Sequence, residues 1–206
     1  MQNAIKKKLT FAVLLVLSII SCFDVAYPKD VLINHIGTVL ILAILGYDIY
    51  TDFYSYNSYF WLSVFCVFHI VGAHWLYSFV PYNDWSKSLF DWDINAYFGY
   101  NRNQYDRFVH LISGVLFYPY LNEYYTRKSK INYNSAILVS WFTIQTLGIS
   151  YELMEWFASV ILSPESTENY NGQQGDIWDA HKDMALALLS SSLMYFYYLF
   201  KNKLRA

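Results

Sequence analysis

Residues 172–186 read GQQGDIWDAHKDMAL and lead into an apolar segment that extends to residue 200. Three carboxylates of this stretch, Asp176, Asp179 and Asp183, are spaced by three and then four residues. These spacings return side chains to one face of an α-helix. Acids on the first turns of a membrane helix are costly and indicate a functional site by default. The rest of the chain is therefore expected to supply partners for them.

The composition is typical of a membrane protein. Apolar residues make up 56% of the 206 residues and charged residues only 15%, where soluble proteins have about 25%. Aromatic residues reach 21%, and Tyr and Trp favour the membrane–water interface. The net charge of −2 argues against a nucleic-acid partner. Cys22 and Cys66 both lie in apolar runs, so no disulfide framework is expected.

Six long apolar segments predict an all-α integral membrane protein, with one multi-pass domain over residues 1–206 that forms a bundle of six transmembrane helices. The predicted spans are 9–23, 31–50, 59–80, 104–121, 134–162 and 175–200. The first follows a run of lysines and ends near a short lipoprotein-like box at Cys22, so a cleaved signal peptide is the alternative to a span. A retained span is preferred because other spans follow.

Basic residues predict the orientation. With six spans, nine Lys and Arg residues fall on the side of the two termini and three on the opposite side. Cytoplasmic loops carry the excess of basic residues, so both termini are predicted to be cytoplasmic.

This orientation brings the polar residues of four predicted spans to the same depth. They are His74; Asp106 and His110; Glu152 and Glu155; and Asp176, Asp179 and Asp183. Spacings of three and four residues also place the members of each group on one helix face. We therefore expect the groups to converge in the outer half of the membrane, with the lipid bilayer around them.

The charges of this set do not balance. Six acids accompany two fixed bases, Arg107 and Lys182. Crowded carboxylates in a low dielectric need protons, a metal, a cationic ligand or water. Carboxylate and imidazole together suit zinc, manganese or iron. The predicted ligands of such a divalent metal are His74, Asp106, His110, Glu152, Asp176 and Asp179.

Other members of the set have different predicted roles. Glu155 or Asp183 is the predicted catalytic base, and Arg107 or Lys182 would bind an anionic head group of the substrate. A purely structural charge network between helices explains the same residues equally well, and a proton or substrate path is a further alternative.

Several segments resemble the YjdF-like family of bacterial inner-membrane proteins, which has no defined function. They are residues 72–74, 105–110, 151–156 and 174–184. A looser likeness to VanZ-like membrane proteins lies in the acid and histidine of one span and the acids of later spans. The resemblance implies a multi-pass protein of the bacterial inner membrane with a polar centre, and it brings no reaction or catalytic residue.

Three functional hypotheses follow. The first is a metal-dependent membrane enzyme that acts on a lipid-linked or envelope substrate from the outer side. The second is a small transporter or proton-coupled permease, and the third is a non-enzymatic scaffold or lipid binder. Metal in the purified protein would favour the first hypothesis, and bound lipid without metal would favour the third.

Overall fold

The computed structural model describes residues 2–25, 27–129, 131–162 and 164–204, and in these ranges every regular element is an α-helix. Lys130 and Arg205, which enter the charge count above, lie outside the described residues. The helices are α1 (Gln2–Ile20), α2 (Pro28–Asn34), α3 (Ile36–Thr51), α4 (Tyr56–His74), α5 (Tyr82–Phe90), α6 (Ile94–Phe98), α7 (Tyr105–Leu116), α8 (Tyr118–Arg127), α9 (Tyr133–Ile161), α10 (Pro164–Asn171) and α11 (Asp179–Lys203). The predicted all-α class is confirmed.

Two of the predicted spans are each divided into two helices at a single residue whose backbone stays in the right-handed helical region. The second is divided at His35, which ends α2 and precedes α3. The fourth is divided at Phe117, where α8 begins with Pro119 in its first turn. Proline lacks a backbone N–H and is tolerated at a helix start, so the break at this position has a local cause.

Two helical segments of the described residues are long and apolar enough to cross a membrane, judged by length and composition alone. They are Pro28–Thr51 and Asp179–Lys203, which correspond to the second and sixth predicted spans. The count of six spans stays a prediction. The ends of other segments differ from expectation, because α1 already begins at Gln2 and α4 ends at His74.

A buried ion pair joins α1 to the end of α3. Lys7 was expected to flank the first span, but it lies within α1 with 1% of its side chain exposed. Its Nζ is 2.8 Å from Asp48 Oδ2 and 2.8 Å from Asp52 Oδ1. Asp48 Oδ1 in turn accepts hydrogen bonds from the backbone N–H groups of Phe53 and Tyr54. This pair fixes the position of α1 against the rest of the bundle.

α11 packs against both α7 and α9, and the crossing with α7 is very close. A Cβ added at Gly114 would lie 2.6 Å from the backbone N of Ser191 and 2.8 Å from the backbone O of Ala187. Small residues allow this backbone-to-backbone approach in membrane helix pairs. The crossing sets the distance between the functional side chains of the two helices.

Candidate functional site

Arginine and carboxylate side chains form the first layer of the site, around the start of α11. Arg102, in the segment before α7, donates two hydrogen bonds to Asp179, of 2.5 and 3.0 Å. The same guanidinium donates to the backbone oxygens of Gly172 and Gln173. A bidentate arginine–carboxylate pair is among the stronger polar contacts in proteins. Arg102 therefore attaches the segment before α11 to the segment before α7.

Asp176 belongs to the same layer and lies in the segment before α11. Arg107 Nη2 and Lys182 Nζ each approach Asp176 Oδ2 to 2.5 Å, and the backbone N–H of Trp178 donates to Oδ1. The hydrogen bond from Lys182, followed by those from Trp178 and Arg107, holds the pKa of the Asp176 carboxyl well below its usual range. Arg107 Nη2 also donates to Asp179 at 2.9 Å, which connects the two acids.

A second layer of polar side chains is buried between three helices. Asp106 and His110 come from α7 and Asp183 from α11, and one potential ligand atom of each lies within 4.8 Å of the others. Glu152 of α9 joins them, with Oε1 at 3.4 Å from His110 Nε2. His110 Nε2 is also 3.7 Å from Asp106 Oδ1. All four residues are buried.

The buried layer contains unsatisfied acceptors. Asp183 Oδ1 and Glu152 Oε1 have no hydrogen-bond partner among the described residues, and Asp183 is only 2% exposed. Buried polar atoms in proteins nearly always have a partner, and an unpaired buried charge costs several kcal/mol or more. This layer can therefore accept a proton or a cation.

Local helix geometry explains why these side chains meet. Asp106 and His110 are four residues apart on α7, and Asp183 lies four residues after Asp179 on α11, so each pair shares a helix face. Because α11 packs against both α7 and α9, the faces that carry Asp183, His110 and Glu152 are directed towards one another. The cluster therefore forms because residue spacing along each helix and the packing of the three helices together bring these side chains close to one another.

A cavity of about 370 Å³ opens next to the buried layer. Asp106 and His110 line it, together with Tyr77, Tyr151 and His69. The rest of its wall is mostly apolar and comes from α3, α4, α7, α8 and α9, with residues such as Ile41, Phe65, Phe117, Ile144 and Leu147. α3 and α9 form two sides of the cavity, and among the described residues they make no extensive contact with each other. The cavity thus has a polar end and an apolar body.

The predicted site residues fall into three places. Asp106, His110 and Glu152 lie in the buried layer together with Asp183, and Asp176 and Asp179 lie in the arginine layer with Arg107 and Lys182. Glu155 is also buried and lies one turn after Glu152 on α9. The structure does not bring His74 to either layer, because its Nδ1 is 2.8 Å from the backbone O of Ser21.

Two residues of the site were missed in the sequence. Arg102 was predicted only as a loop charge, so the site has three fixed cations where two were expected. The six acids therefore outnumber the fixed cations by three. His69 lines the cavity, where its Nδ1 is hydrogen-bonded to the Tyr77 hydroxyl. A cation five residues before Arg107 was the available signal for Arg102. The predicted depth favoured His74 over His69, because His74 lies nearer the outer end of the third predicted span.

The helical fold, the apolar exterior and the charged cluster between helices define a membrane protein with a polar centre. The chain belongs to the family described as "Predicted membrane protein (DUF2238)", which matches residues 7–203. A relative named inner membrane protein YjdF, from Escherichia coli (strain K12), is 27% identical over 124 residues, which are 59% of this chain and 54% of that protein. The chain thus spans about half the length of this curated relative.

No solved structure matches the chain. The expected YjdF-like family is confirmed, and an inner-membrane relative supports a location in the bacterial inner membrane. The likeness to VanZ-like proteins stays a prediction.

Proposed function

We propose that the protein is a metal-dependent inner-membrane enzyme that hydrolyses a lipid-linked substrate. Asp106, His110 and Asp183 would hold a divalent cation, and Glu152 would complete or orient the ligand set. One observation carries the proposal: three different ligand side chains converge within 4.8 Å, and the Asp183 oxygen among them is buried without a partner.

The ligand chemistry favours zinc, manganese or iron. Imidazole is a common ligand of these ions and is unusual for magnesium or calcium. A divalent cation would also offset the acids that exceed the cations of the site. Asp176 and Asp179 were expected among the ligands, but we now assign them a positioning role, since guanidinium and ammonium groups already occupy their oxygens.

The side chains around the cluster suit the hydrolysis of a bond at the polar end of a lipid substrate. When bound, such a cation polarises a phosphoryl or carbonyl oxygen and lowers the pKa of water. Glu155 is the remaining acid of the predicted set. It is buried, lies one turn from Glu152, and is our candidate proton acceptor. The mostly apolar cavity beside Asp106 and His110 would hold the lipid portion of the substrate and exclude bulk water.

A proton-coupled permease is the second candidate function. It is favoured by the buried oxygens of Asp183 and Glu152 that have no hydrogen-bond partner in the described part of the chain, because buried acids within membrane helices often mark proton relays. The same buried acids would then carry protons, and no metal would be required.

Elemental analysis of the purified protein tests whether it binds a divalent metal. We expect stoichiometric zinc, manganese or iron after purification without chelator, and a lower melting temperature after chelation, because a ligand that binds only the folded state stabilises it. A synthetic acyl phosphate and an acyl ester should then be hydrolysed by the loaded form and not by the chelated form. Protein that stays metal-free and shows no thermal shift with any of the three ions would exclude the site.

We also propose six membrane spans with both termini in the cytoplasm. The distribution of basic residues supports this orientation, and it would place the metal cluster towards the outer side. A reporter fused after Arg127 should give a cytoplasmic signal, and one fused after residue 168 an external signal. The opposite pattern would reverse the side from which a substrate arrives.

A further inference from the structure

A second cavity lies on the opposite side of α7 from the metal cluster. It has a volume of about 900 Å³ and is bounded by α7 and α11 on one side and by α5 and α6 on the other. Arg107 and Phe108 of α7 line this groove, whereas the neighbouring Asp106 and Val109 line the first cavity. The two sites therefore share a helix and do not share a space.

The groove has a cationic end and an apolar body. On α11 its lining begins with Lys182 and continues with Ala185, Leu186 and Leu189, which return to one helix face. Lys182 and Leu189 are seven residues apart, or about 10 Å along the helix. Arg107 and Leu111 of α7 repeat this order. A ligand that follows the groove meets positive charge first and apolar side chains afterwards.

The charges at the cationic end leave capacity for an anion. Arg102, Arg107 and Lys182 face two carboxylates, Asp176 and Asp179, so this layer carries one positive charge in excess. Arg107 Nε is buried and has no hydrogen-bond partner in the part of the chain that the structure describes. The Lys182 side chain is 49% exposed, and one of its three possible donors is used by Asp176. A single anionic group would balance the charge and accept the remaining donors of Lys182.

The other wall of the groove is aromatic. Trp85 of α5 and Phe98 of α6 line it, and Phe90, Trp92 and Tyr97 beside them are exposed. The Trp and Tyr side chains among them are of the kind that concentrates at the level of lipid head groups. This level is where a phospholipid presents its phosphate.

We propose that this groove binds one anionic phospholipid. Arg107 and Lys182 contact its phosphate, and one acyl chain follows the surface of α7 and α11 towards Leu189. This site is separate from the metal cluster and does not depend on hydrolysis.

Native mass spectrometry of the full-length protein in detergent tests the site, with phosphatidylglycerol and phosphatidylcholine of identical acyl chains as probes. We expect one retained phosphatidylglycerol in preference to phosphatidylcholine. Lys182→Gln should reduce that preference about fivefold, the effect of one basic residue next to anionic lipid. Lys203→Gln, which removes an exposed charge from the end of the same helix, should leave it unchanged.

Two further measurements separate the possible causes of failure. Ala185→Phe, which fills the groove, should reduce the retention of both lipids, and chelator treatment should change neither. Equal retention of the two lipids by the wild type, or equal effects of Lys182→Gln and Lys203→Gln, would overturn the proposal. Displacement of the lipid by inorganic phosphate would also overturn it, because the site would then recognise a soluble anion. A chelator-sensitive preference would likewise contradict it, by placing the lipid at the metal cluster.

Discussion

Asp183→Asn is expected to lower metal affinity by at least about 100-fold, whereas Asp176→Asn should leave it nearly unchanged. Loss even of residues that only orient metal ligands costs 10–100-fold, and Asp183 lies within ligand distance of Asp106 and His110. Asp176 has the same side chain, but Arg107 and Lys182 occupy its Oδ2 and the Trp178 N–H its Oδ1. Elemental analysis and zinc titration of the two variants, purified in parallel without chelator, give the comparison.

The two variants together distinguish the role of the buried layer in metal binding from that of the arginine layer. Melting temperature and elution volume should be recorded for both, so that loss of metal is not confused with loss of fold. If the two substitutions lower metal content equally, Asp176 belongs among the ligands, as its sequence spacing allowed. If Asp183→Asn keeps its metal, the buried layer is a structural network or a proton path.

Lys7→Met is expected to lower the free energy of unfolding by about 3–5 kcal/mol, because it leaves the buried Asp48 without its cation. Lys7 and Asp48 are each only 1% exposed, and their charged atoms are 2.8 Å apart. Thermal or denaturant unfolding in detergent measures the effect. Lys8→Met, at an exposed position of the same helix, is the matched control and should change stability little.

A double variant tests the electrostatic cause. Lys7→Met combined with Asp48→Asn removes both charges and keeps Oδ1 for the backbone N–H groups of Phe53 and Tyr54. Most of the lost stability should return, since replacing both partners of a buried pair is often neutral. A double variant as unstable as the single one would assign the loss to packing of the lysine stem.

The part of the site that could be predicted from sequence depends on local helix geometry. The four-residue spacing of Asp106 and His110 places them on one face in any α-helix. The all-α fold is similarly local, because long apolar segments with few breaks predict helices. Asp183 and Glu152 were assigned to the polar centre for the same reason, and both lie there.

The rest depends on how segments end and pack. Arg102 meets Asp179 across 77 positions of sequence, and only the folded loops before α7 and α11 bring them together. Asp176 was counted as a helical residue, but α11 begins at Asp179. His74 is the last residue of α4 and contacts the end of α1, whereas His69, five residues earlier, lines the cavity. Helix ends and loop contacts have no comparable periodic signal.

The close crossing at Gly114 makes α7 and α11 a single mechanical unit. Backbone atoms of α11 occupy the space that a side chain at this position would need, so neither helix can slide along the other unless the two separate. Asp106 and His110 move together with α7, and Asp183 moves with α11. The distances between these three side chains are therefore preserved when the other helices of the bundle move. α3 carries none of the four clustered side chains and makes no extensive contact with α9 among the described residues, so displacement of α3 would widen the cavity without moving Asp106, His110, Glu152 or Asp183.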